Sequence, residues 1–217
     1  MRKLLGWSLC GLMTIAPLST AHAAQELSLL TPEQFAEWNE HPFKDHTIYT
    51  HDNAGDGFSL KAECNDTASA LYREVSIDLT KTPIMKWSWR IDSIHSKLKE
   101  KEKIGDDYPA RIYVVYTPNV LTPWRTLAID YVWSNNQSIG SVWPNAFTGN
   151  AIMVALRSGK PSAEKKWETE ERNVRADFKK YFNQDLTSID GVAIMTDCDN
   201  AGFPMTGYYK NIRFTAE

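Results

Sequence analysis

From about Tyr49 onward, apolar and polar residues alternate with a period of two, the spacing of a strand that buries one face and wets the other. Leu71, Val75, Ile77 and Leu79 fall on one side, with Tyr72, Glu74, Ser76 and Asp78 on the other. Arg73 intrudes on the apolar side. Met85, Trp87, Trp89 and Ile91 alternate with Lys86, Ser88 and Arg90, giving a second strand with a heavy inner face, and Thr82-Pro83 makes the turn between the two. The period continues through Ile112, Val114 and Tyr116, and again through Leu127, Ile129, Tyr131 and Trp133. Residues 151–156 are apolar on both faces, which predicts a central strand covered on each side. Further strands are expected over 191–196 and 208–214.

Two stretches break the pattern. Thr31-Pro32-Glu33-Gln34 reads as a helix start: threonine as cap, proline at the first helical position, and Gln34 placed to reach back to the cap. Phe35 and Trp38 then supply a short apolar face. Asn173 can cap a second helix, because Val174, Phe178, Tyr181 and Phe182 follow near helical spacing. Residues 97–103, KLKEKEK, have no usable apolar face and read as a solvated loop. Nine or ten short strands with so little helix predict an all-β fold, an antiparallel β-sandwich or jelly roll with one or two short peripheral helices. A parallel α/β sheet would need a helix after nearly every strand.

The N-terminus carries an address. Arg2 and Lys3 precede an apolar run to Leu18, and Ala21-His22-Ala23 offers the small residues a signal peptidase needs, so residues 1–23 are expected to be a cleaved signal peptide. Residues 24–217 are then one exported β-sandwich domain, periplasmic or extracellular. No later segment is apolar and long enough for a helical membrane span. The formal charge of −3 becomes −5 once Arg2 and Lys3 are removed, a balance unsuited to nucleic acid or anionic lipid. Of three cysteines, Cys64 and Cys198 remain after cleavage. An oxidising compartment favours their pairing as a disulfide, against the alternative of two buried thiols.

Six runs in order along the chain carry a resemblance: WSWRID from Trp87, GDDYPARIYVVY from Gly105, DYVWSN from Asp130, LRSG from Leu156, EERNVRADF from Glu170 and GVAIMTDCDNAG from Gly191. They resemble the family catalogued as domain of unknown function 3047, from about Phe58 to Phe214. The resemblance implies an exported bacterial protein and, more loosely, a layout similar to galactose-binding-like jelly rolls. It implies no activity. The family pattern has threonine where Cys198 stands, so the disulfide would be a feature of this chain.

The sequence has no nucleophile elbow, zincin helix, P-loop or dinucleotide fingerprint, which lowers the expectation of an enzyme. Its positive chemistry is of three kinds. Indoles stand beside amides at Trp133-Ser134-Asn135 and Trp143-Pro144-Asn145, with Trp124 also near a turn, and an indole rimmed by amides and carboxylates suits a sugar ring. Trp87 and Trp89 belong to the inner face of a strand. Asp106, Asp107, Asp197, Asp199 and Asn200 cluster at strand ends; the last three could ligate calcium as a structural cofactor, though none is required, and D-x-D-N lacks a full calcium-loop spacing. Alternatively one of these carboxylates pairs with Arg111 or Arg172, which would lower its pKa. Glu168 and Glu170 share a strand face at a spacing that a carboxylate pair in a glycosidase tolerates. His41, His46 and His51 recur every five residues, but Pro42 breaks any helix that would align them as metal ligands.

The favoured expectation is a binding protein for carbohydrate or a small polar ligand, contacted by Trp133, Asn135, Trp143, Asn145, Asp107, Arg111 and Asp199. The alternatives are a glycan-active hydrolase or lyase using Asp107, Glu170 or Asp199 as acid and base, and a non-catalytic envelope scaffold whose charged face meets a protein partner.

Overall fold

A computed structural model describes residues 25–52, 57–119, 121–164 and 166–216. The expected signal peptide, residues 1–23, lies outside the described residues. Among the described residues thirteen strands form: β1 (Glu26–Ser28), β2 (Asn39–Lys44), β3 (Ile48–Asp52), β4 (Ser59–Cys64), β5 (Ala68–Asp78), β6 (Ile84–Ile91), β7 (Ala110–Tyr116), β8 (Leu127–Ser134), β9 (Val142–Pro144), β10 (Ala151–Ser158), β11 (Glu168–Asn173), β12 (Ser188–Met195) and β13 (Met205–Thr215). The single α-helix among the described residues, α1, spans Val174–Phe182. One sheet runs β11-β6-β13-β4-β3 with β1 added against β13, and the other runs β2-β5-β12-β7-β8-β10-β9. The fold is an all-β sandwich. It has more strands than the nine or ten expected, because the short edge pieces β1, β2 and β9 carry too few alternating residues to register as strands in the sequence.

One pairing departs from the antiparallel expectation: β10 lies parallel to β8, with Ala151 opposite Ala128 and Ser158 opposite Ser134. The chain leaves β8, passes along the sheet edge as β9 and returns as β10, which pairs antiparallel with β9. The β9 segment and its two flanking turns thus supply the crossover that a parallel pair requires. As the sequence predicts, β10 is central enough to be covered on both faces, with Val154 in the main core and Met153 and Ala155 in a second cluster.

The main core is the layer between the sheets. Ile112 and Val114 of β7, Ile129, Tyr131 and Trp133 of β8, and Val192 and Ile194 of β12 face Met85, Trp87, Trp89 and Ile91 of β6. Four aromatic rings run through it, Trp87 to Trp89 and Trp87 to Tyr131 at 5.4 Å and Trp89 to Trp133 at 6.1 Å between centroids. Such packing sets each indole in a fixed, desolvated slot. Arg73, the intruder, enters the apolar side with its charge answered: its guanidinium donates to the Leu29 carbonyl at 2.8 Å and pairs with Glu37. At the N-terminal start signal only a 3₁₀ turn forms, Gln34–Glu37. Gln34 Nε2 donates to the Ser28 carbonyl at 2.8 Å instead of reaching back to Thr31.

α1 follows the expected pattern. The Asn173 side chain accepts from the Ala176 N–H at 2.9 Å, and Val174 and Phe178 are buried against the sandwich. The 97–103 stretch proves to be anchored as well as solvated. Glu100 is buried, accepts from Ser134 Oγ at 2.6 Å and from the Asn135 N–H, and burial raises its pKa despite those bonds. One glycine fixes how closely the sheets approach at this end. A Cβ on Gly207 of β13 would sit inside contact distance of the Pro109 carbonyl oxygen and Thr196 Oγ1, so this strand meets the start of β7 only without a side chain.

Candidate functional site

Along β7, β8 and β12 the residues between the core positions point to the opposite face of the seven-stranded sheet. That outer face holds a cleft of about 790 Å³. Its floor is made by Arg111 and Tyr113 of β7, Ala128 and Asp130 of β8, Ala151 of β10 and Met195 of β12. The alanines keep the floor low, and aromatic groups on neighbouring segments raise the walls. Trp124, on the 3₁₀ turn Pro123–Arg125, is 70% exposed, Phe147 57% and Phe43 of β2 66%. Asn145, Asn150, Asp199 and Asn200 add amide and carboxylate groups. Exposed aromatics over a polar floor are costly to leave bare and are what a ligand site presents.

The floor contains a buried ionic cluster. Arg111 pairs with Asp197 and, at 3.5 Å, with Asp106, while its backbone N–H donates to Tyr209 Oη at 3.3 Å. Asp197 also accepts from the Tyr108 N–H at 3.2 Å. Asp130 is fully buried, and neither of its oxygens has a hydrogen-bond partner; Asp106 Oδ1 and Arg111 Nε are likewise unpartnered. A carboxyl left so is costly and calls for a functional reason. Burial pushes Asp130 up to about 8, Asp106 adding to the rise and Arg111 opposing it. The carboxyls of Asp106 and Asp197 are also raised, burial outweighing Arg111 in each. From sequence, an arginine partner is expected to lower such a pKa. Here the Arg111 pairs form, whereas Arg172 pairs with Asp177 at 2.8 Å, outside that set, and around Arg111 desolvation is the larger effect.

Behind this cluster, Asp107 holds the 197–201 loop. Its carboxylate accepts from the Asn200 N–H at 3.1 Å, Asn200 Nδ2 at 3.0 Å and the Ala201 N–H at 2.7 Å. Cys198 in that loop is joined to Cys64, the last residue of β4, by a buried disulfide with Cα atoms 6.0 Å apart. The bond ties the cleft's acidic loop to the opposite sheet. Carboxylate oxygens of Asp107, Asp197 and Asp199 gather within 4.8 Å, the one such group of three among the described residues. Its donor set is already engaged: N–H groups occupy Asp107, and Arg111 occupies Asp197. A calcium ion here would compete with a fixed guanidinium, so the residues present do not fit one. Asn200 offers its amide nitrogen to Asp107 and Asp199, a donor where a cation needs an oxygen.

Of the residues singled out by sequence, Arg111, Asn145 and Asp199 line the cleft, and Asp107 lies directly behind Asn200. The others go elsewhere. Trp133 turns its ring into the core and donates its indole N–H to the Gly159 carbonyl at 2.9 Å. Trp143 is buried with Tyr108, Val132 and Met153. Neither indole has a free face for a sugar. Asn135 is buried and structural, donating to the Asp107 carbonyl and accepting from the His95 N–H. Glu168 and Glu170, on the six-stranded sheet's edge strand β11, do share a face, where both bind Arg157 of β10, outside the cleft. His46 pairs with Glu40 while His51 packs against Phe58, so the histidines do not converge. Asp130, Tyr113, Phe43 and Phe147 belong to the cleft without having been expected there. A signal for Asp130 existed: it is an ionisable residue in the middle of the apolar run Leu127–Trp133.

A family model described as "Protein of unknown function (DUF3047)" matches residues 36–213. Among curated proteins none matches the chain in sequence. Among solved structures, the family 30 carbohydrate-binding module of the cellulosomal cellulase Cel9D-Cel44B of Clostridium thermocellum is similar at 8% identity, covering 89% of this chain and 98% of that one with a TM-score of 0.48. The family 11 carbohydrate-binding module of the same organism, in complex with a β-1,3-1,4-mixed-linked tetrasaccharide, is 13% identical over 90% and 98% with a TM-score of 0.46. The xyloglucanase domain of NopAA, a type three effector from Sinorhizobium fredii, is 10% identical over 83% and 93% with a TM-score of 0.44. Likenesses this distant leave the function to the chemistry of the chain's own residues.

Proposed function

Because the chain belongs to the family described as Protein of unknown function (DUF3047), a membership that brings no activity with it, we propose from the cleft itself an exported binding protein for a carbohydrate-type ligand. The observation that carries this reading is one cleft in which three exposed aromatics, Trp124, Phe147 and Phe43, stand over amide and carboxylate groups. A sugar offers an apolar C–H face to the rings and hydroxyls to Asn145, Asn150, Asp199 and Asn200. Two of the ring platforms, Trp124 and Phe147, sit on turns and loops while the polar floor sits on strands, so the floor is preorganised and the rim can adapt.

Export is supported by the basic and apolar start of the chain, by the small residues before Ala24, and by the disulfide. Fractionation of producing cells, with the mature N-terminus read by mass spectrometry, tests it; a full-length cytoplasmic chain would sink it.

Isothermal titration against a panel of plant and envelope glycans tests the binding. Trp124→Ala is expected to weaken any binding roughly tenfold, the loss of about one stacked ring, with the melting temperature unchanged. A folded protein that gives no heat with any member, or a Trp124→Ala variant that binds as the parent does, overturns the reading. An enzymatic reading built on Glu170 loses its geometry, since that carboxylate is bound to Arg157 and to the Trp89 indole away from the cleft.

A further inference from the structure

A second cleft of about 650 Å³ adjoins the first on the same sheet face, and the two share Phe43 and Tyr113 in their walls. It extends over β5 and β12, past Tyr72 and Glu74 to Asp190. Together the clefts form one trough across β5, β12, β7, β8 and β10. Four gaps of about 4.8 Å give a span of about 19 Å, too long for one sugar unit.

The charge along this trough is lopsided. Asp106, Asp130, Asp197 and Asp199 line the first cleft against Arg111, and Glu74 and Asp190 line the second against Arg73. Six carboxyls thus face two guanidiniums; Asp130 keeps its proton below about pH 8 and Arg111 answers Asp106 and Asp197, so Asp199, Glu74 and Asp190 carry the trough's negative charge. Both guanidiniums are already paired, Arg111 with Asp197 and Arg73 with Glu37, the latter outside the trough. Of the lysines at the rim, Lys44 is held by Asp66 at 2.7 Å, and Lys103 stands 5.2 Å from the Phe147 ring. Independently of the acids' number, Asp130 is fully buried in the cleft floor with both oxygens unpartnered. Its neighbours there are Arg111, Asp106 and Tyr113. A carboxyl in that state is relieved by a ligand whose polar groups hydrogen-bond to it. A trough lined by one sign of charge also concentrates ligands of the other, and aromatic rings at its rim favour cations over their faces.

We propose that the trough binds an extended chain of amino sugars with free, protonated amines, in preference to neutral or N-acetylated chains of the same length. The proposal rests on the carbohydrate reading above and adds to it the ligand's charge and its polymeric length. The rings take the sugar faces, an amine faces Asp199, a polar group of the sugar meets Asp130 in the floor, and further units run past Phe43 and Tyr113 toward the carboxylates of Glu74 and Asp190.

The test titrates the mature, oxidised chain with β-1,4-linked glucosamine oligomers of about two to six units, and with N-acetylglucosamine and glucose oligomers of matched length, at mildly acidic pH. Glucosamine oligomers are expected to bind roughly tenfold more tightly than the matched neutral ones, with affinity falling as salt rises. Affinity should climb with length until both clefts are filled. Asp199→Asn, at a half-buried loop position, should cut the preference several-fold with an unchanged melting temperature, and Glu74→Gln should weaken only the longer oligomers. Equal or tighter binding of the neutral chains overturns the charge proposal and leaves the carbohydrate reading standing. Affinity that does not rise beyond the two-unit oligomer overturns the extended chain. Absence of binding by all three series removes this proposal, and the wider glycan panel then decides the carbohydrate reading.

Discussion

Replacing Asp130 by asparagine isolates the energetic consequence of a buried, unpartnered carboxyl. In the fold this group titrates at about 8 against an ordinary 3.8, with burial as the main cause. The folded protein therefore keeps a proton that the unfolded chain releases across this interval. Where the native state binds more protons than the unfolded one, stability falls as pH rises. The penalty is absent below about pH 4, grows through neutrality and levels off above about pH 8. Each tenfold in the proton equilibrium is worth about 1.4 kcal/mol, so the ionisable side chain costs roughly 4 kcal/mol more at pH 9 than at pH 5. An asparagine side chain has a similar shape and no such titration. Urea unfolding of parent and Asp130→Asn, both with the disulfide intact, should give stabilities that diverge in the variant's favour between about pH 5 and pH 9. Arg111 and Asp106 stay in place in both proteins, so their own titrations largely cancel in the difference. Two stability curves that run parallel across this range would refute the reasoning, because they would mean that Asp130 is ionised and solvated, or paired, in the folded protein.

Three further outcomes follow from the same structure. Converting both Cys64 and Cys198 to alanine opens a loop closed across a separation of 134 residues and should lower stability by about 5 kcal/mol on chain-entropy grounds; denaturant titration measures it, and a loss under about 1 kcal/mol would contradict the disulfide's structural role. Arg111→Ala strips the buried Asp197 and Asp106 of their counter-charge and should cost about 3–5 kcal/mol, read as a lowered urea midpoint that recovers partly at acidic pH as the acids protonate. Trp133→Ala, emptying a core slot, should cost about 3–5 kcal/mol, whereas Trp124→Ala on the exposed turn should leave stability within about 0.5 kcal/mol of the parent; equal losses would mean that the core and rim assignments of the two indoles are wrong.

Much of the architecture was legible in the alternation alone. Period-two patterning identified the core faces of β5, β6, β7 and β8 because a strand has two sides and one of them is dry. Trp133 shares the parity of Ile129 and Tyr131, so its burial was written in the same pattern, and its place beside a turn was the misleading cue. The α1 cap at Asn173 was equally local: a side chain and an N–H three residues on. The family resemblance also rested on consecutive runs that folding does not rearrange.

The cleft was decided elsewhere. Strand order places β7 between β12 and β8, and only that order brings Arg111 to Asp197, 86 residues away in sequence, and sets Asp130 beside them. The edge strand β9 and the parallel return of β10 cover Trp143 and leave Phe147 exposed, a choice made by a crossover that no local period encodes. The sign of the pKa shifts likewise belongs to the tertiary structure, since a nearby arginine lowers a carboxyl's pKa in water but loses to desolvation once both are taken into the interior. What the chain determined by itself is which residues seek the dry side of a strand; which polar residues must then share the opposite side is set by how the strands pair.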